Sequence, residues 1–171
     1  YSFTRTVTVS NARFEYLIFK TDHYEGVDES NQTNNVLAKK ITFHAPDLQI
    51  PTAVLPSTAN LGDTIHVTAT IRNAGSLAAS GYWYDALYLS SDDVFDENVD
   101  VAVRNFNSHG SPPLAPTEEY TIDEDILLST SLPAGDQFLL LVTDPSRNLT
   151  EKSESNNVFA QAIQIGGPDL S

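Results

Sequence analysis

"TIHVTATIR", residues 64–72, alternates apolar and polar side chains without a break. Ile65, Val67, Ala69 and Ile71 fall on one face of an extended chain, and the residues between them fall on the other. This period of two is typical of an antiparallel β-strand with one buried face. The stretch therefore predicts a sheet that has one side in a core.

Six similar runs surround this strand, separated by turn clusters rich in Gly, Pro, Asn and Asp. They are "DLQIPTAVL" (47–55), "YWYDALYLS" (82–90), "DVAVRNF" (100–106), "EYTIDEDILL" (119–128), "QFLLLVT" (137–143) and "NVFAQAIQI" (157–165). No stretch has the periodicity of an amphipathic helix. Seven short strands in about 120 residues are typical of an immunoglobulin-like (Ig-like) sandwich, for which Trp83 is a candidate central core residue. The sequence therefore predicts an all-β fold, an Ig-like seven-stranded antiparallel β-sandwich.

Part of the chain is repeated. "NNVLAKKITFHAPDL" (34–48) returns as "NNVFAQAIQIGGPDL" (156–170), at an offset of 122 residues (156 − 34 = 122). Over residues 14–48, 12 of 35 positions are identical to those 122 residues later, where ordinary composition predicts about two. We interpret this as an internal repeat the size of one domain.

The repeat divides the chain into three parts. Residues 1–45 match the C-terminal half of a preceding repeat, residues 46–167 form a complete one, and residues 168–171 begin another. We therefore predict sandwiches in tandem. Three strands cannot close the core of the first part, so an apolar face should stay open unless a longer parent chain or another copy of the chain covers it. That predicted face consists of Tyr1, Phe3, Val7, Val9, Tyr16 and Ile18.

The composition excludes several classes of partner. The chain has 23 acidic and 9 basic side chains and a net charge of −14, which repels nucleic acid and anionic membrane surfaces. No apolar run approaches the roughly 20 residues of a membrane span, so membrane insertion is not expected. The chain has no Cys, so disulfides and thiol chemistry are absent.

Residues 46–165 resemble a CARDB repeat, the cell-adhesion-related domain of bacterial and archaeal surface proteins. The resemblance rests on "PDL" at Pro46, "GDTIHVTATIRNAG" at Gly62, "WYDALYLSSD" at Trp83 and "E…NN" at Glu151, Asn156 and Asn157, and its back half recurs in residues 3–43. It implies an Ig-like sandwich for each repeat, arranged in tandem in a long secreted or surface-anchored chain. The expected location is therefore extracellular or at the cell surface, and the expected partners are neighbouring repeats or other copies of the chain.

The acidic stretch "SSDDVFDENVD", residues 90–100, is the densest chemical signal. Oxygen ligands at alternate positions suit calcium, which takes six to eight of them. An EF-hand is excluded, because, with Asp96 counted as the first position of the loop, the sixth is Val101 rather than Gly and the twelfth is Asn107 rather than Glu. Two interpretations stay open, a solvated hairpin loop and an irregular calcium loop. The candidate calcium ligands are Asp92, Asp93, Asp96, Asn98 and Asp100.

A second candidate site is the loop before the last strand, "TDPSRNLTEKSESNN" (143–157), which matches "TDHYEGVDESNQTNN" (21–35). Its paired Asn residues suit a turn, because Asn bonds its own backbone and accepts left-handed angles. The other interpretation has the carboxylates face the next repeat and hold a cation there. The predicted inter-repeat junction consists of Asp144, Glu151, Glu154, Asn156 and Asn157.

Catalysis finds little support, because the four His residues are isolated and there is no G-x-S-x-G motif. We therefore predict a non-catalytic structural or adhesive module of an extracellular tandem-repeat protein or filament. The alternative is a carbohydrate-binding accessory module of a secreted polysaccharide-acting protein, which would bind surface glycans. Its candidate aromatics, Tyr82, Trp83, Tyr84 and Tyr88, lie on one strand, so some of them must enter the core.

Overall fold

The computed structural model describes residues 4–6, 16–109 and 112–167, and the fold in these ranges is all-β. One short 3₁₀ turn, Gln32–Asn34, accompanies the strands, and no helix in these ranges is long and apolar enough to cross a membrane. The strands are β1 (Tyr16–Lys20), β2 (Val36–Lys40), β3 (Leu48–Val54), β4 (Thr58–Asn60), β5 (Thr64–Asn73), β6 (Trp83–Ser90), β7 (Val101–His109), β8 (Glu119–Leu127), β9 (Gly135–Thr143) and β10 (Val158–Gly166).

Strands β3 to β10 form two sheets around one core. The smaller sheet has the order β3-β5-β8 and the larger one β4-β10-β9-β6-β7. The alternation of β5 is as predicted, with Ile65, Val67, Ala69 and Ile71 buried. These side chains pack in one cluster with apolar residues of β6, β9 and β10 from the other sheet. The two sheets are therefore the layers of a sandwich.

The strand count and direction differ from the prediction. Residues 46–167 contain eight strands rather than seven, and β4 pairs with β10 in parallel, so the sandwich is not wholly antiparallel. Proline explains both differences. Pro51 lies in edge strand β3 at a break in its register between Gln49 and Thr52, and Pro56, which lacks an N–H, follows the end of β3. The chain then changes sheets and forms β4 at the edge of the larger one.

Strands β1 and β2 form a separate antiparallel hairpin. Its register equals that of β9 and β10 shifted by 122 residues: Leu17 pairs with Lys39 and Phe19 with Leu37, as Leu139 pairs with Gln161 and Leu141 with Phe159. The two hairpins therefore have the same backbone pairing.

The surroundings of the two hairpins differ. Ile18 of β1 is 63% exposed, whereas Leu140, at the corresponding place in β9, is completely buried. Of the predicted open apolar face, Tyr16 and Ile18 are exposed. The other members, Tyr1, Phe3, Val7 and Val9, lie outside the described residues.

Candidate functional site

The loop of residues 144–157 holds the start of β3. The backbone N–H of Leu48 donates to Glu151 Oε2, and Asn156 Nδ2 donates to Asp47 Oδ1 at 3.1 Å. The backbone N–H of Lys152 donates to the carbonyl of Pro46 at 2.9 Å. We call this loop the seat. It ties the beginning of the sandwich to a segment that follows more than 100 residues later.

Glu151 is the central group of the seat and is only 3% exposed. Asn157 Nδ2 donates to its Oε1 at 2.8 Å, so each carboxyl oxygen accepts one N–H. Burial raises the pKa of Glu151 to about 8, and the neighbouring Glu154 and Asp144 carboxylates add to the rise. The hydrogen bonds from Leu48 and Asn157 act in the opposite direction and offset only part of it.

Asp144 shapes the loop from within. It has a positive φ of 47° and is 1% exposed, and its two carboxyl oxygens accept the backbone N–H groups of Asn148 at 2.9 Å and Leu149 at 2.8 Å. Burial raises the pKa of Asp144 despite these two bonds. They place Leu149 in a small core cluster with Leu48 and Trp83. Asp144 therefore positions Leu149 for its contact with Leu48, beside the hydrogen bonds that the seat makes to the start of β3.

Asn73 also binds the start of β3, and the sequence analysis did not identify it. Its Oδ1 accepts the N–H of Asp47 at 3.1 Å, and its Nδ2 donates to the carbonyls of Leu77 at 2.8 Å and Leu114 at 3.0 Å. Asn73 is completely buried. The sequence does place this amide at an inward position of the alternating strand β5, which could have indicated a buried polar contact.

A buried polar chain adjoins the apolar cluster and was also missed. Trp83 Nε1 donates to Tyr120 Oη at 3.3 Å, and the Tyr120 hydroxyl donates to Asp85 Oδ2 at 2.8 Å. Burial raises the pKa of Tyr120, and the charge of Asp85 adds to the rise. Asp85 shares the inward face of β6 with Trp83 and Leu87. An acidic residue at an inward position could have indicated a buried hydrogen-bond partner.

The sequence pattern of the CARDB family matches residues 45–161, which is more than half of the chain and includes the whole seat. The chain belongs to the CARDB family.

Solved structures agree with this fold. The CARDB domain of a Pyrococcus furiosus protein, crystallised with di-metal ions, has a TM-score of 0.54 and 16% identity, covering 75% of this chain and 100% of that one. A domain of a candidate cell surface protein from Methanosarcina acetivorans has a TM-score of 0.49 and 20% identity, covering 74% and 97%. A β-glucosidase from Listeria innocua has a TM-score of 0.43 and 19% identity, covering 77% and 17%. Only the first of these likenesses has a TM-score above 0.5, and it alone supports the fold. None of the curated proteins matches the sequence.

The predicted junction residues lie around the start of the CARDB domain of which they are part. Glu151 and Asn156 contact Leu48 and Asp47, and Asn157 contacts Glu151. Glu154 and Asp144 line an open cleft of about 260 Å³ together with Arg147. The next "PDL", residues 168–170, lies outside the described residues, so contact with a following repeat stays a prediction.

The acidic loop of this CARDB domain is held by hydrogen bonds within the loop. Asp92 Oδ1 accepts the N–H of Val94 and Asp96 Oδ1 accepts that of Asn98, each at 2.9 Å, and Asp100 Oδ2 accepts that of Asp96 at 2.8 Å. Across residues 16–109 and 112–167, no three His, Cys, Asp or Glu side chains form a group that could hold a metal. A calcium site formed by Asp92, Asp93, Asp96, Asn98 and Asp100 therefore stays a prediction.

The aromatic residues of β6 do not form a platform for sugar rings. Trp83 is completely buried and Tyr88 is 5% exposed, whereas Tyr82 is 63% exposed. The Tyr84 hydroxyl is hydrogen-bonded to Ser146 at 3.0 Å. Successive side chains of the strand point to opposite faces, so Trp83 lies in the core cluster with Leu48 and Leu149, whereas Tyr88 packs on the other face against Phe95, with ring centroids 4.7 Å apart.

The raised pKa of Glu151 predicts a pH-dependent stability. The folded pKa of about 8 exceeds the ordinary value of 4.5, so the contribution of Glu151 to stability is fully present below pH 4.5 and is lost as pH rises through 8. We expect the free energy of unfolding to fall between pH 5 and pH 9. Glu151→Gln should flatten this fall, because Gln has no charge to bury. Urea unfolding at pH 5, 7 and 9 measures both proteins.

The Gln variant should still fold. Its amide oxygen can accept the N–H of Leu48, and Asn157 can turn its Oδ1, which lacks a hydrogen-bond partner among the described residues, toward the new amide nitrogen. Parallel pH profiles for the two proteins would mean that Glu151 does not carry the pH dependence.

Proposed function

We propose that this chain is a non-catalytic structural and adhesive segment of an extracellular protein built from tandem CARDB repeats, each an Ig-like sandwich. The carrying observation is that β1 and β2 pair in the register of β9 and β10 at an offset of 122 residues. Residues 1–45 are then the C-terminal half of one repeat, residues 46–167 a complete repeat, and residues 168–171 the start of the next. The resemblance to CARDB repeats of bacterial and archaeal surface proteins supports a location at the cell surface or in a filament.

The loops of the two hairpins support the same proposal. Asp22 accepts the N–H groups of Gly26 at 2.9 Å and Val27 at 3.1 Å, as Asp144 accepts those of the residues 122 positions later. Asp22 has a φ of 43° and Glu25 a φ of 53°, against 47° and 51° at their counterparts. Thr21 N–H donates to the Asn35 carbonyl at 2.9 Å, and its counterpart makes the same bond at 2.9 Å. A shared backbone with three matching pairs of hydrogen bonds and two matching pairs of φ angles is expected of two copies of one repeat.

The connection between the two repeats is tied to the second sandwich. The carbonyl of Ala45 accepts the N–H of Ser76 at 3.0 Å, and His44 Nδ1 is hydrogen-bonded to Ser76 Oγ at 3.1 Å. Pro46 fixes one backbone angle of the same segment. The connection between neighbouring repeats should therefore have little conformational freedom. A stiff connection suits a protein that extends from the cell surface and presents its end domains.

We expect Gly75→Ala to destabilise this connection. A Cβ at Gly75 would lie 2.6 Å from the backbone nitrogen of Asp47 and 2.6 Å from the carbonyl carbon of Pro46, closer than such atoms approach. The turn or the strand start must then shift, at a cost of about 1–3 kcal/mol. Thermal unfolding measures the loss. Ser76→Ala, which removes only the exposed bond to His44, is the control, and an equal melting temperature for Gly75→Ala and the native chain would contradict the close approach.

The tandem proposal is tested by the shape of longer pieces of the parent protein. Small-angle X-ray scattering should show a maximum dimension that grows by a constant increment with each added repeat. A dimension that grows only as the cube root of the mass would indicate compact packing and would reject an extended array. The carbohydrate-binding alternative is disfavoured because the aromatics of β6 are divided between its two faces, where Trp83 and Tyr88 are buried.

Melting curves decide whether the acidic loop binds calcium. An ion present at 100 times its dissociation constant would add about 2.7 kcal/mol to stability. We expect the curves with calcium and with a chelator to coincide, because the carboxylates of the loop already accept backbone N–H groups within it. A calcium-dependent rise of several degrees that Asp96→Ala with Asp100→Ala removes would establish a site.

A further inference from the structure

The acidic loop, residues 91–100, covers part of the outer face of the larger sheet. Leu141 of β9 points into the core between the sheets, whereas Val142 and Tyr88 belong to a second apolar cluster. Phe95 of the acidic loop packs against this second cluster. The loop therefore lies against the outside of the sandwich rather than projecting into water.

A cleft of about 260 Å³ lies between the acidic loop and the seat. Its polar lining includes Asp93 of the acidic loop and Asp144, Glu154 and Asn157 of the seat. Its apolar lining consists of Val94, Phe95, Val142, Pro145 and Val158. The cleft therefore offers a ligand both an apolar surface and the polar groups of two loops.

The carboxylates of the cleft are not ion-paired within the described residues. Burial raises the pKa of Asp144, and the charge of Glu154 adds to the rise, which indicates that the two carboxyl groups lie close together. The ion pairs of the described residues join His66 and Arg104 to carboxylates of β8 instead. Arg147 lines the same cleft but takes part in none of them. The charge of the cleft therefore favours a cationic ligand.

Asn157 independently points to a ligand that carries hydrogen-bond donors. It lines the cleft and is only 3% exposed, and its Nδ2 donates to Glu151. Its Oδ1 is buried and has no hydrogen-bond partner among the described residues. Because buried polar atoms of native proteins are nearly always hydrogen-bonded, a donor is expected at this oxygen.

The lining of the cleft suits an alkylammonium better than a metal ion. No three His, Cys, Asp or Glu side chains of the described residues form a group that could hold a metal. An alkylammonium carries three N–H donors, and its methylene chain packs on apolar surface. Among protein side chains this is lysine, whereas the planar fork of arginine prefers both oxygens of one carboxylate.

We propose that the cleft between the acidic loop and the seat binds a lysine side chain of a partner protein. The methylene chain lies against Phe95, Val142 and Val158, and the ammonium donates to Glu154 and to Asn157 Oδ1. The net charge of −14 favours the approach of a basic partner. This inference rests on the proposed adhesive role and names the chemistry that the domain recognises on its partner.

The test is an NMR titration of the isotope-labelled 171-residue chain with Nα-acetyl-lysine N-methylamide. We expect saturable shifts at the backbone amides of Val142, Asn157 and Val158, with a dissociation constant on the order of 1 mM for a ligand of this size. The same compound acetylated on its side-chain nitrogen has no charge and should not bind.

Glu154→Gln should weaken binding about tenfold, because it removes a charge-assisted hydrogen bond. The variant should fold, since Glu154 is half-buried and makes no hydrogen bond within the described residues. Glu97→Gln is the matched control: it removes the same charge from the exposed part of the acidic loop, away from the cleft lining, and should leave the affinity unchanged. Arg147→Gln removes a competing cation and should tighten binding about two- to fivefold.

Four results would overturn the lysine site: no saturation at about ten times the expected dissociation constant, equal binding of the acetylated compound, equal weakening by Glu97→Gln, or displacement of the lysine compound by calcium with the same shifts. The last would establish a metal site in its place. The scattering measurement on longer pieces tests the tandem array independently, so the two proposals can fail separately.

Discussion

Trp83→Ala should lower the free energy of unfolding by about 3–5 kcal/mol. The indole is completely buried among Leu48, Ala79 and Leu149, so its removal leaves a cavity between the seat and the sandwich. Trp83 also donates to the Tyr120 hydroxyl, which would lose this partner. Urea unfolding monitored by circular dichroism measures the change, because the variant has lost its only Trp.

Tyr82→Ala is the matched control, because Tyr82 is the neighbouring aromatic and is 63% exposed. Its replacement should change the free energy of unfolding by no more than about 0.5 kcal/mol. If both variants lost the same stability, the burial of Trp83 would not be what matters, and its place as the anchor of this end of the core would have to be abandoned.

Glu151→Ala should lower the free energy of unfolding by about 2–4 kcal/mol. It leaves two buried donors, the N–H of Leu48 and Nδ2 of Asn157, without their acceptor, at about 1–3 kcal/mol each. Relief of the cost of burying the carboxyl offsets part of this loss. Chemical denaturation at pH 7 measures it, and hydrogen exchange at Leu48 should speed up more than exchange in the middle of β5.

The chain contains its own control in Glu29, which lies 122 residues earlier at the same place in the repeat. Glu29 is exposed and Glu151 is buried, so Glu29→Ala should leave the stability unchanged within about 0.5 kcal/mol. Similar losses for the two variants would show that the loop itself, rather than the strand start it holds, needs the carboxylate.

Local patterns predicted the parts of the fold that depend on one strand. The alternation in residues 64–72 identified the buried face of β5, and Trp83 was identified as a core residue because a large aromatic on a central strand has few other places. The sequence did not predict β4, because a strand of only three residues is too short to show a period of two. Its parallel partner could be known only once the chain was seen to change sheets.

The contacts of the seat could not be predicted from the sequence. The repeated Asp, Glu and Asn residues marked the loop, but the partners of Glu151 and Asn156 are Leu48 and Asp47. These lie more than 100 residues away in the sequence, and only the closed sandwich brings them to the loop. The acidic loop shows the opposite case. Its ligand-like spacing was conspicuous, yet Asp92, Asp96 and Asp100 bond to backbone N–H groups of their own loop, which the spacing of carboxylates alone does not distinguish from metal binding.

The parallel pairing of β4 with β10 determines how this CARDB domain would bear mechanical tension. β4 lies near the beginning of the domain and β10 at its end, and they pair from Thr58 with Gln164 to Asn60 with Gly166. Pulling the two ends apart drags these strands in opposite directions along their common axis. Their hydrogen bonds, extended by Gln164 N–H to the Ser57 carbonyl and Leu61 N–H to the Gly166 carbonyl, are then loaded together in shear rather than opened one at a time. A domain pulled at both ends would therefore unfold only when all the hydrogen bonds between β4 and β10 break together.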